Sequence, residues 1–118
     1  MIPVGPANRI FLATGSTDMR KSFEGLSDLV RSRLKGDPRS GHLFVFANRR
    51  KTRLKLLYFD GSGLWVCAKR MERGCMHWPT ADSTGGAQQV VVEELALILG
   101  GGIDLEKTHR QPWWRKEG

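Results

Sequence analysis

Residues 53–70, "RLKLLYFDGSGLWVCAKR", constrain the chain more than any other stretch. Two runs rich in Leu, aromatic and β-branched side chains flank Asp60-Gly61-Ser62-Gly63, so the segment reads as a β-hairpin closed by a two-residue loop at Gly61-Ser62. That loop sets the register: Phe59 faces Leu64, Leu57 faces Val66, Lys55 faces Ala68 and Arg53 faces Arg70. Apolar pairs gather at the turn and positive charges at the open end, although like charges directly opposite one another destabilise a strand pair. The alternate side chains, Leu54, Leu56, Tyr58, Trp65 and Cys67, are apolar as well. Both faces of this hairpin therefore need cover, and one helix covers only one.

The flanking sequence supplies candidates. "RIFLA" (9–13) reads as a strand that ends at Gly15-Ser16-Thr17-Asp18. Met19, Phe23, Leu26, Val30 and Leu34 recur at helical spacing, with Asp18 as the expected N-cap, so an amphipathic helix is expected over 19–34. Gly25 in its interior costs roughly 1 kcal/mol against Ala, which points to close packing or a functional constraint there. "KGDPRSG" (35–41) stops the helix and "HLFVF" (42–46) reads as a strand. "AQQVV" (87–91) is a candidate last strand, and "VEELALIL" (92–99) a short helix stopped by Gly100-Gly101-Gly102. The second apolar face is covered either by this helix or by another protein chain. The fold class that follows is α+β: an antiparallel meander packed against one main helix, with a short C-terminal helix. At 118 residues the chain fits one domain, expected over 1–105, with a basic tail over 106–118 that carries Trp113 and Trp114.

No run is both apolar and long enough to cross a bilayer, and 1–12 lacks the pattern of an export signal, so a cytoplasmic protein with no membrane contact is expected. Cys67 and Cys75 are too few for a disulfide framework. The formal charge is +7, and it is uneven. Residues 49–73 hold eight basic residues against two acidic ones, while the rest is nearly balanced. A local positive field of this kind points to a polyanionic partner. Arg49, Arg50, Lys51, Arg53, Lys55, Lys69, Arg70 and Arg73 are the candidate phosphate contacts. The plainer alternative is a sheet edge guarded by charge against strand pairing.

In "GSTDMRK" (15–21), Arg20 and Lys21 fall in the expected first helical turn, where positive charge opposes the helix dipole. A bound phosphate at the helix N-terminus would offset that, and so would simple solvent screening, so Arg20 and Lys21 are secondary candidates. Asp18, Asp60, Glu72, Asp82, Glu93 and Glu94 form no recognisable catalytic set, and Cys67, Cys75, His77 and His109 lack the spacing of a zinc site. No catalytic residue, metal or cofactor is expected. Trp113 and Trp114 suit docking on the domain or on a partner better than base stacking.

The stretches "TDMRKSFEGLSDLV", "DPRSGHLFVFANRRKTRLKLLYFDGSGLWVCAKRMERG" and "WP" closely resemble the short accessory protein encoded by the second open reading frame of IS66-type bacterial insertion sequences. The likeness runs from about Arg9 to Asp104. The matching positions are Thr17, Asp18, Met19 and Arg20; Phe44, Phe46, Asn48, Arg49, Arg50 and Lys55; Asp60, Gly63, Lys69, Arg70, Glu72 and Gly74; and Trp78 and Pro79. Cys75-Met76 stands where the family usually has a basic-aromatic pair. The resemblance implies a protein that assists transposition, with strand chemistry left to a separate transposase. The expected partners are DNA, bound with little sequence preference, and the transposase and other proteins of the same element; self-association stays open. The alternative is an adaptor that docks on the transposase through the second apolar face and the Trp113-Trp114 tail, with no DNA contact of its own.

Overall fold

The computed structural model describes residues 8–78 and 86–100. In chain order its elements are β1 (Ile10–Ala13), α1 (Phe23–Ser32), β2 (Leu43–Ala47), β3 (Arg53–Phe59), β4 (Leu64–Arg70), β5 (Ala87–Val90) and α2 (Val92–Leu99). The strands form one sheet in the order β4-β3-β2-β1-β5. The expected α+β arrangement holds. β2, β3 and β4 make an antiparallel meander, and Phe59, Leu57, Lys55 and Arg53 face Leu64, Val66, Ala68 and Arg70 as the loop demands. Gly61 sits at φ +101, a conformation that suits glycine. The Asp60 carboxylate accepts from the Ser62 and Gly63 N–H groups at 2.8 and 2.9 Å and from Trp65 Nε1 at 2.8 Å, so its pKa falls far below the usual carboxylate range.

One pairing departs from a pure meander. β1 runs parallel to β2, with Ile10 beside Leu43 and Leu12 beside Val45. α1 lies between these two strands in sequence, and a helical crossover returns the chain to the same end of the sheet, as parallel neighbours require. β5 then closes the far side antiparallel to β1.

The sheet is covered on both faces. On one, Leu26 and Val30 of α1 pack with Ala13, Phe44, Phe46 and Leu57. On the other, Leu95 and Ile98 of α2 join Leu12, Val45, Leu54, Leu56 and Tyr58, together with Met76 and Trp78. The second apolar face is thus largely filled from within the chain, although Trp65 and Cys67 stay exposed. Trp78 is buried and its Nε1 donates to the Ala13 carbonyl at 3.0 Å. β2, buried along its whole length, is the middle of both layers.

α1 begins at Phe23, not at Met19. Asp18 is not its N-cap. The Asp18 carboxylate instead accepts from the Arg20 N–H at 2.9 Å, and its carbonyl accepts from the Lys21 N–H at 3.1 Å, which closes a turn over 18–21. Asp side chains offer the backbone this local alternative to the helix, and here it prevails. Ser22 takes the cap position, and the first helical bond runs from the Leu26 N–H to the Ser22 carbonyl at 2.8 Å. Met19 and Leu34 still pack against the core from outside the helix, whereas Phe23 is 46% exposed.

Candidate nucleic-acid interface

The topology brings the candidate cations to one end of the sheet. β2 ends there, β3 starts there and β4 ends there, and because β1 is parallel to β2 its C-terminal end arrives as well. The turn between β2 and β3 is organised by Asn48. Its Oδ1 accepts from the Thr52 and Arg53 N–H groups at 2.9 and 3.1 Å, and its Nδ2 donates to Thr52 Oγ1 at 3.0 Å. The turn leaves Lys51 at φ 60 and projects Arg49 and Arg50 into solvent. The segment after β4 crosses the same end. The Met71 N–H donates to the Thr52 carbonyl and the Met76 N–H to the Lys51 carbonyl, both at 2.7 Å, so the intervening Arg73 is held near the turn. The Thr17 N–H donates to the Ala47 carbonyl at 2.8 Å and draws the 18–21 turn, with Arg20 and Lys21, to this end.

The cations do not share one face. Side chains alternate along a strand, so Arg53, Lys55 and Arg70 lie on the α1 side with Leu57 and Val66, while Lys69 lies on the α2 side with Leu54. They differ also in what they already hold. Lys55 Nζ donates to the Lys21 carbonyl at 2.7 Å, tying the 18–21 turn to the sheet. Lys69 Nζ donates to the Leu99 carbonyl at the end of α2. Lys51 Nζ donates to the Asn48 carbonyl at 3.3 Å and stands 5.7 Å from the centre of the Trp78 ring; burial lowers its pKa. Arg20 grips Asp18 with Nη2 at 2.8 Å and with Nε, so Asp18 is held at a pKa of about 2 and Arg20 is pushed up. Arg70 meets Glu72 at 3.5 Å, an exposed pair. Lys21 lays its stem over Gly25, where an added Cβ would come within 3.1 Å of it, so close packing accounts for that glycine.

Of the exposed candidates Arg49, Arg50, Arg53 and Arg73 remain: among the described residues none of the four pairs with a carboxylate, and neither does the half-buried Lys21. Arg53 and Arg70 also border an open depression of about 510 Å³, lined as well by Met19, Lys55, Ala68 and Glu72. Opposing them across the β3–β4 ladder costs stability; Arg70 is relieved in part by its exposed pair with Glu72, and the unpaired Arg53 guanidinium is suited to an anion.

Sequence reasoning named the ten cations but not their division into committed and free groups. It also gave Asn48 no structural role, although Asn before a tight turn, with Thr52 within reach, is the visible signal for one. Among the described residues no three His, Cys, Asp or Glu side chains come together to hold a metal ion, and Cys67 and Cys75 are exposed free thiols. No helix of the described residues is long and apolar enough to cross a membrane. Asp82, His109, Trp113, Trp114 and the expected domain boundary after 105 lie outside the described residues.

The profile of the family described as "IS66 Orf2 like protein" matches residues 8–110. Two proteins of Sinorhizobium fredii are similar over nearly their whole length. "Uncharacterized protein y4hO" is 39% identical over 115 residues, covering 98% of this chain and 96% of the relative. "Uncharacterized protein y4jC" is 37% identical over 111 residues, covering 92% of each. No solved structure matches. The turn at Asn48, the arginines around it and the segment through Trp78 all fall inside the matched span, and the chain belongs to the IS66 Orf2-like family.

Proposed function

We propose that the protein is a non-catalytic accessory factor in the transposition of an IS66-type insertion sequence, and that it binds duplex DNA through the basic end of its sheet. Family membership supports the accessory role. The observation that carries DNA binding is the set of four exposed arginines, Arg49, Arg50, Arg53 and Arg73, gathered at one sheet end with no acidic partner among the described residues. Each guanidinium that neutralises a phosphate releases condensed counterion, so affinity comes from backbone contact. None of the four lies on a helix, and among the described residues no helix carries them into a groove to read bases. Binding is therefore nearly independent of sequence.

The test is fluorescence anisotropy with two unrelated labelled duplexes over a range of salt. Four phosphate contacts give a slope of log affinity against log salt of about −3.6, and the double variant Arg49→Ala/Arg50→Ala makes it shallower by about 1.8. Affinity indifferent to salt, or a slope unchanged in the double variant, overturns the proposal.

A further inference from the structure

β4 is the last strand on its side of the sheet, and among the described residues nothing pairs with its outer edge. Two backbone bonds fix which of its groups are free. The Asp60 N–H donates to the Gly63 carbonyl and the Met71 N–H to the Thr52 carbonyl. Antiparallel bonding alternates along a ladder, so Trp65, Cys67 and Lys69 bond to β3, while Leu64, Val66, Ala68 and Arg70 turn their N–H and C=O groups outward. No proline interrupts this seven-residue row, and its charges sit at one end only. Natural edge strands are usually guarded more heavily.

The edge is complementary to itself. When two copies of β4 are laid antiparallel with Cys67 opposite Cys67, the whole strand overlaps: Leu64 faces Arg70, Trp65 faces Lys69 and Val66 faces Ala68. No like charges stand directly opposite in this register. The aliphatic stem of Lys69, whose ammonium holds the Leu99 carbonyl, covers the Trp65 ring, which is 52% exposed in the single chain, and Leu64 lies along the aliphatic stem of Arg70. The outward groups of Leu64, Val66, Ala68 and Arg70 fall opposite one another as hydrogen-bonded pairs, which leaves Cys67 in a non-hydrogen-bonded pair with its counterpart. We propose that the protein forms a two-fold homodimer through antiparallel pairing of β4 edges centred on Cys67, joining two sheets into one. Nothing in this pairing depends on DNA.

Cys67 reports the register, because α carbons of a non-hydrogen-bonded pair stand about 4.5 Å apart, within disulfide range. The experiment uses the full chain carrying Cys75→Ser, without DNA and in salt sufficient to screen the charge of each copy. Sedimentation velocity over a concentration series should show a monomer–dimer equilibrium. Mild oxidation with diamide should give a covalent species at twice the 13.3 kDa monomer mass, and Cys67→Ser should abolish it. Ala68→Pro removes an outward N–H and spares the β3 ladder, so it should shift the equilibrium to monomer. A further variant lacking both native cysteines and carrying Trp65→Cys with Lys69→Cys should cross-link between copies, and it decides the matter should Ala68→Pro fail to fold. A monomer at every concentration, or a dimer that cross-links at neither position, overturns the proposal.

Discussion

Replacing Lys55 with Met keeps most of the side-chain stem and removes an ammonium that ties the 18–21 turn to the sheet. Lys55 Nζ donates to the Lys21 carbonyl at 2.7 Å, and the residue is half-buried between β4 and that turn. A hydrogen bond from a charged donor is worth about 1.5–3 kcal/mol; the freed carbonyl can reach water and the Met stem packs well, so the lower end, about 1.5 kcal/mol, applies. Urea unfolding followed by tryptophan fluorescence should then show a midpoint lower by roughly 1 M. The salt dependence of DNA affinity should stay as it was, because this ammonium is already committed. Arg49→Ala/Arg50→Ala should do the reverse: the midpoint holds within about 0.5 kcal/mol, as for exposed surface changes, while the salt slope flattens. A Lys55→Met protein with an unchanged urea midpoint and a salt slope shallower by about 0.9 would refute the division of the cations into structural and free groups.

Other changes probe the frame that holds the basic end. Trp78→Phe loses the bond to the Ala13 carbonyl and weakens the contact with Lys51, a cost of about 1.5–2.5 kcal/mol, and Trp78→Ala should cost about 3–5 kcal/mol, both read by urea unfolding. The Ser27 hydroxyl is buried in α1 with no partner among the described residues, so Ser27→Ala should raise stability by about 0.5–1 kcal/mol in the same assay. Asp18 has its folded pKa lowered from 3.8 to about 2, so its contribution is present above pH 3.8 and is lost as pH falls through 2. Thermal melts at pH 7, 4 and 2 should show a smaller acid-induced drop for Asp18→Asn than for the parent.

Period-two alternation and a glycine turn fixed the β3–β4 hairpin to the residue, because loop length leaves a hairpin one register. The helix start was misread for a local reason. Met19 continues the apolar stripe of α1, but spacing cannot tell a side chain on a helix from one that reaches the same core from the preceding turn, and Asp18 bonds as well to a turn as to a helix end. The parallel placing of β1 departs from the antiparallel meander expected from sequence, because pairing partners distant in sequence leave no periodic trace. At the basic end, charge count identified the cluster. Which cations are occupied depends on backbone carbonyls, those of Lys21, Asn48 and Leu99, whose positions exist only once the fold is formed.

The most direct measurement is a titration of the isotope-labelled protein with duplex DNA, followed by amide chemical shifts. Binding at the basic end moves the amides of 49–53 and 70–74, with smaller changes over 18–21, and leaves the far turn at Asp60 to Gly63 in place. Shifts centred on that turn or on α2, or none at all at low salt, would contradict the account.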